Sequence, residues 1–278
     1  MKFNKLILGS FILLILVFSI TAISAADLND TDDTNVLKDE NMNANSFSDL
    51  NRGINDAESN IDLGNDYKYN NTKDQDHVKG INIIKDNFVI NGNNHVIDCD
   101  NKARAFNIIG NNVEIKNLII KNAFYEQGSA ISTVSALTLN NVTFINCSGN
   151  GTESTNLGAI QAQEKLIVNN CRFFNTSGYE GASITAYSTD VTITNSTFIS
   201  SSDKIFKGHI YAYESNIIIE NSDFLNTTSK YATAIFCEGA GKLDISNSRF
   251  KNLHVTVWEL IIVSSTTYPV KIMVVQSL

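Results

Sequence analysis

The chain has little of what most functional classes require. Its 278 residues carry 21 lysines and arginines against 29 aspartates and glutamates, a net charge of −8. The basic residues form no stripe, which argues against nucleic acid as a partner. The four histidines, His77, His95, His209 and His254, share no metal-ligand spacing. No serine or cysteine sits in a nucleophile motif. The four cysteines, Cys99, Cys147, Cys171 and Cys237, follow no repeat in their spacing. Cys171 takes a slot held elsewhere by serine or valine, and Cys237 a slot held by alanine, so they are read as small buried fillers rather than disulfides. Past residue 60 no apolar stripe of helical period survives, which excludes stacked helices. These absences predict no catalytic residue, no metal and no cofactor.

What is present is an asparagine that returns at a nearly constant interval. Asn117, Asn141, Asn170, Asn195, Asn221 and Asn247 are separated by 24, 29, 25, 26 and 26 residues. A period in the twenties signals stacked repeats rather than one central core. In each repeat the apolar positions flank that asparagine, as in Leu137, Leu139, Val142 and Phe144, or Leu243, Ile245, Ser248 and Phe250. The spacing of two within each pair is the strand period. The central step of three needs a bend, and asparagine tolerates the left-handed conformation a tight bend requires. The six asparagines are therefore expected at corners, with their amides bonding from coil to coil as a ladder.

A third short strand follows each phenylalanine. It reads Gly128-Ser129-Ala130-Ile131, Gly158-Ala159-Ile160, Gly181-Ala182-Ser183-Ile184, Gly208-His209-Ile210 and Ala232-Thr233-Ala234-Ile235. Three strands and three bends in about 25 residues describe one coil of a parallel β-helix rising about 4.8 Å per coil. The fold class is thus all-β, a solenoid of about seven coils.

Residues 1–26 read as a signal peptide, with Lys2 and Lys5 ahead of an apolar run and a small-residue cleavage site at Ser24-Ala25-Ala26. Any membrane contact is expected through this segment alone. Residues 27–45 form an acidic disordered segment; most of the net negative charge lies between residues 27 and 60. Residues 46–80 hold an N-terminal cap and the first strands. Phe47, Leu50, Ile54 and Ala57 follow Ser46 or Ser48 at helical spacing, which predicts a short capping helix. Residues 81–252 are the β-helix repeats. Residues 253–278 are expected to be an irregular, uncapped coil, with Val274 at the corner position, prone to end-to-end self-association. Glycosylation sequons at Asn146, Asn150, Asn175 and Asn226 are assigned to variable loops.

The pairs Phe144-Ile145-Asn146, Phe173-Phe174-Asn175, Phe224-Leu225-Asn226 and Phe250-Lys251-Asn252, joined to the Gly-x-Ala-Ile strands, resemble the right-handed parallel β-helix repeats of polymorphic outer-membrane proteins. Asp66-Tyr67-Lys68-Tyr69, Gly92-Asn93-Asn94-His95-Val96-Ile97-Asp98 and Gly110-Asn111-Asn112-Val113 look like the start of adhesin-like proteins of methanogenic archaea. That resemblance implies a right-handed, pectin lyase-like fold, display at the cell surface or secretion, and binding to cell-surface glycans or other cells. It is specific for fold and weak for function, because β-helices also carry lyases, hydrolases and epimerases.

For such an enzyme, Asp98 and Asp100, followed by Lys102 and Arg104, are the one carboxylate pair worth weighing. They are read as a solvated turn, and His95 as a packed core histidine. The chain is read as non-catalytic. On the third strands, Tyr187, Tyr211, Tyr213 and Phe236 are expected to point outward on one face, a candidate binding platform. Three functions compete: an adhesin-like glycan binder, a carbohydrate-active β-helix enzyme, and a non-binding structural spacer.

Overall fold

The computed structural model describes residues 44–152, 155–200, 205–230, 232–255, 262–264 and 270–274. All belong to one unit, Asn43–Leu278. The expected signal peptide lies outside the described residues, as does nearly all of the acidic segment. The chain is a parallel β-solenoid of about seven turns, with one short α-helix near the N-terminus among the described residues.

Each coil carries three strand segments. The first two belong to one sheet and meet at the repeating asparagine; the third belongs to a second sheet. Among the described residues the pairings between coils are all parallel and, up to the last strand, in register, as in Leu166↔Val191, Phe173↔Phe198 and Ile160↔Ile184. Inward rows therefore run the length of the stack. Ile81, Phe106, Ile131, Ile160, Ile184, Ile210 and Ile235 line up on the third face, and all are fully buried. Phe144, Phe173, Phe198, Phe224 and Phe250 stack nearly parallel, with centroids 4.6 to 5.0 Å apart.

The corner expectation holds in backbone terms. Asn117, Asn141, Asn170, Asn195, Asn221 and Asn247 all have φ between 47 and 54°. The amide ladder holds over only part of the stack. Asn117 donates to Asn91 at 3.0 Å, Asn141 to Asn117 at 2.9 Å and Asn170 to Asn141 at 3.3 Å. The Asn195 amide turns instead to Asn169, at 3.2 Å. Beyond it, among the described residues, no amide bond joins Asn195, Asn221 and Asn247.

There the corner is closed from inside. The Ser222 hydroxyl accepts from Ser196 N at 3.1 Å and donates to Glu220 O at 2.9 Å; Ser248 repeats this with Ser222 N and Ser246 O. The row Leu118, Val142, Cys171, Ser196, Ser222, Ser248 thus changes from aliphatic to hydroxyl along the stack.

A second asparagine corner stands two residues past the Ile120 and phenylalanine row in every coil except that of Phe198, where Ser200 takes the place. Asn122, Asn146, Asn175, Asn226 and Asn252 have φ of 48 to 55°. Asn175 donates to Asn146, and Asn252 to Asn226, each at 2.8 Å. Asn146, Asn175 and Asn226 are therefore corners and not loop residues, and a glycan on Asn146 or Asn175 would break this second ladder.

The cap is a helix, α1 (Phe47–Asp56), whose Phe47, Leu50 and Ile54 are buried. Ser46 is its N-cap and forms a capping box with Asp49. Two charged side chains from beyond the helix clip its ends. The Asp74 carboxylate, fully buried, accepts from Phe47 N at 3.1 Å and Ser48 N at 2.8 Å. The Lys85 ammonium meets the carbonyls of Ile54, Asn55 and Ala57. Negative charge at the N-terminus and positive charge at the C-terminus both favour the helix dipole.

Toward the C-terminus, strands Ile262–Ser264 and Val270–Val274 continue the stack by pairing with Ile235 to Cys237 and with Leu243 to Ser248. The register shifts there: Val274 pairs with Ser248, so it does not occupy the Asn247 corner as expected. Residues 256–261, 265–269 and 275–278 lie outside the described residues.

Candidate functional site

The third strands of three successive coils bring the expected aromatic residues together. Thr185, Tyr211 and Phe236 share one row, and Tyr187, Tyr213 and Glu238 the next. Outward does not mean open, however. Tyr211 is only 4% exposed, Thr185 is fully buried, and of the four aromatic residues only Tyr213, at 37%, is exposed. The four-residue platform expected from alternation is corrected to an exposed Tyr213, half-buried Tyr187 and Phe236, and a covered Tyr211.

The cover comes from the segments that precede these strands. Lys207 lays its ammonium 4.6 Å from the Tyr211 ring, 5.5 Å from Phe236 and 5.9 Å from Tyr179. The same ammonium is 2.9 Å from Glu180 and 3.8 Å from Glu238. Tyr187 donates its hydroxyl to Glu180 and Tyr211 donates to Glu238, both at 2.8 Å. Sequence alternation places a side chain on a face but says nothing of a loop folding over it. The signal missed was the run Gly178 to Gly181, whose chain bridges to Leu157 and Ile205.

Burial, reinforced by hydrogen bonding to a carboxylate, pushes the Tyr187 and Tyr211 phenols well above their ordinary range. Both stay neutral donors. Glu180 and Glu238 are two carboxylates around one ammonium, Lys207, so this cluster carries negative charge. Tyr213 is raised mainly by the neighbouring Glu214 carboxylate.

The Asp98–Asp100 pair is not the solvated turn expected. Asp98 is 5% exposed, with Lys121 of the next coil at 3.7 Å and Asn122 at 3.0 Å. Asp100 does sit in a turn, at φ 54°, between Lys68 at 3.3 Å and Lys102 at 2.5 Å. Arg104 is buried and donates to the carbonyls of Lys79, Glu126, Gln127 and Gly128. These charges are committed to the scaffold.

His95 is likewise corrected: it is half-buried and faces Asp66 at 3.0 Å. The core histidine is His209. Its Nδ1 lies 2.8 Å from Ser183 Oγ and its Nε2 2.9 Å from Thr227 Oγ1. Because Thr227 already donates to Leu225 O, its oxygen accepts here, which puts the imidazole proton on Nε2. Burial pushes the imidazole pKa down to about 3, so His209 is neutral. The four cysteines are buried and none is in a disulfide; burial raises the thiols, Cys147 and Cys171 to about 12. Among the described residues no histidine, cysteine and acid cluster is suited to a metal.

Compared with protein-family models, with curated proteins and with solved structures, the chain matches none. Its parallel β-solenoid therefore rests on the repeat and its geometry.

Proposed function

We propose that this chain is a secreted or cell-surface, adhesin-like β-helix protein that binds glycans through the outer side of its third strands. The observation that carries the reading is the row in which Tyr187 and Tyr213 stand one coil apart with Phe236 half-exposed beside them. Sugar rings present C–H faces to aromatic rings, and a neighbouring carboxylate such as Glu214 accepts from sugar hydroxyls. The resemblance of the repeats to methanogen adhesin-like proteins supports secretion and surface display.

The test is a glycan array and cell-surface binding assay comparing the full chain with Tyr187→Ser/Tyr213→Ser. The double variant is expected to lose binding at least tenfold while its circular dichroism stays β-rich. Unchanged binding by the variant would move the site elsewhere, and a chain that binds no glycan would leave the spacer reading.

One observation favours the enzyme reading: two carboxylates, Glu180 and Glu238, share one ammonium with two phenols. The negative balance of that cluster disfavours an acidic polysaccharide. Incubation with polyuronates would reveal unsaturated products if lyase chemistry operated there; none is expected.

A further inference from the structure

Six large hydrophobic side chains are exposed among the described residues: Ile84, Ile109, Phe124, Val134, Tyr213 and Ile218. Four of them fall in a single row. Ile84, Ile109 and Val134 each stand one residue past the paired third-strand positions Ile83, Ile108 and Thr133. The same position in later coils holds Gln163, Tyr187 and Tyr213. The row spans five coil steps, about 24 Å at the strand spacing. Exposures of 64% at Ile84, 44% at Ile109 and 49% at Val134 are unfavourable for aliphatic side chains unless something covers them.

Around the corner from this ridge lies a hollow of about 280 Å³ lined by Asn112, Glu114, Thr138, Asn140, Lys165 and Ile167. On the other side, Asn82 and Asn107 form an exposed amide pair at 2.9 Å. The ridge thus runs between carboxamides and hydroxyls. The nearby charges balance or are engaged: Glu114 faces the hollow with Lys165, Lys85 holds the end of α1, and Asp86 accepts from Asn111 N at 2.7 Å.

We infer that the ridge from Ile84 to Tyr213 binds an extended, uncharged polysaccharide lying along the solenoid axis across several coils. This rests on the glycan-binding reading and names its ligand class. A polyanion is disfavoured by the carboxylates at the aromatic end. A peptide strand is disfavoured because the ridge offers no backbone groups: Ile109 N, Val134 N and Gln163 N already bond Ile83 O, Ile108 O and Thr133 O. What remains is a row of apolar surface with amides beside it, which suits sugar C–H faces and hydroxyls.

The experiment is co-sedimentation of the full chain with insoluble cellulose, chitin and mannan, with polygalacturonate as the anionic probe in affinity electrophoresis. Wild type is expected to bind at least one neutral polymer and not polygalacturonate. Ile84→Asn/Ile109→Asn/Val134→Asn, which alters only exposed side chains, is expected to weaken that binding tenfold or more with unchanged melting. A triple variant that binds like wild type, while Tyr187→Ser/Tyr213→Ser does not, overturns the ridge and leaves glycan binding standing. Binding to polygalacturonate alone overturns the uncharged ligand. Self-association of wild type that the triple variant abolishes, without neutral-polymer binding, makes a second copy the occupant and overturns the inference. Failure to bind any glycan on array or polymer removes the glycan-binding reading itself.

Discussion

The early and late coils solve the same corner differently. Both place asparagine at φ near 50°. In the early coils the amides of Asn91, Asn117, Asn141 and Asn170 bond one another on the outside, over an aliphatic interior of Leu118, Val142 and Ile120. In the late coils the hydroxyls of Ser196, Ser222 and Ser248 satisfy the backbone from the inside, beside the stacked phenylalanines. The lesson is that backbone conformation selects the residue at the corner, while the closing hydrogen bonds can come from either side. Buried N–H and C=O groups must be paired by something, and here two sets of side chains serve.

The comparison breaks most sharply at the phenylalanine row, which begins at Phe144 and runs on through the late coils. Phe198→Ala removes a ring stacked on both faces, at 4.8 and 4.6 Å, and is expected to cost about 3–5 kcal/mol. Because neighbouring coils support one another, urea unfolding followed by hydrogen exchange should show protection lost first around residues 190–250. Equal loss in the early coils would mean that the stack melts as one unit.

The next largest effect separates the halves by pH. His209 sits only in the late coils, buried and neutral, with its pKa pushed down to about 3 from an ordinary value near 6.5. The fold prefers the uncharged ring, so its contribution is complete above pH 6.5 and is lost as pH falls toward 3. The loss is about 1.4 kcal/mol per pH unit. Between pH 6.5 and 4.5 wild type should therefore lose about 2 kcal/mol more than His209→Gln, measured from urea midpoints. Parallel pH profiles would show that the imidazole titrates without penalty.

The smallest effect concerns the corners themselves. Asn117 both donates to Asn91 and accepts from Asn141, whereas Asn221 relies on its backbone and on the serines. Asn117→Ala is expected to cost about 2 kcal/mol and Asn221→Ala about 1 kcal/mol, the latter mainly from the left-handed φ. Equal melting midpoints for the two variants would remove the distinction between outer and inner closure.

Features repeated at a fixed offset were legible in the sequence. The asparagine corner, the phenylalanine row and the third strand each recur, and recurrence makes a side chain's direction readable. The cap was legible because Ser46, Asp49 and the apolar spacing lie within one short segment. Partners brought in from elsewhere were not. Asp74 lies 26 residues from Ser48, and nothing in its neighbourhood announces a helix end. Lys207 covers Tyr211 through a segment of irregular length. His95 and His209 look alike as residues, and only their places in the coil, a half-buried corner and an interior row, tell them apart. The ridge is not legible in the sequence because Ile84, Ile109 and Val134 each follow a strand end, where an apolar residue reads as the strand's continuation.

Helix α1 has only ten residues, too few to persist alone in water. Its end charges come from Asp74 and Lys85, which reach it only once the first coil has closed. Asn45, just ahead of the helix, exchanges backbone bonds with Asp66 and Lys68, occupying the rim of the sheet at that end. The helix is therefore a built-in gauge. Its circular-dichroism signal reports closure of the first coil against a background made mostly of strand among the described residues, and it sits where the described stack begins.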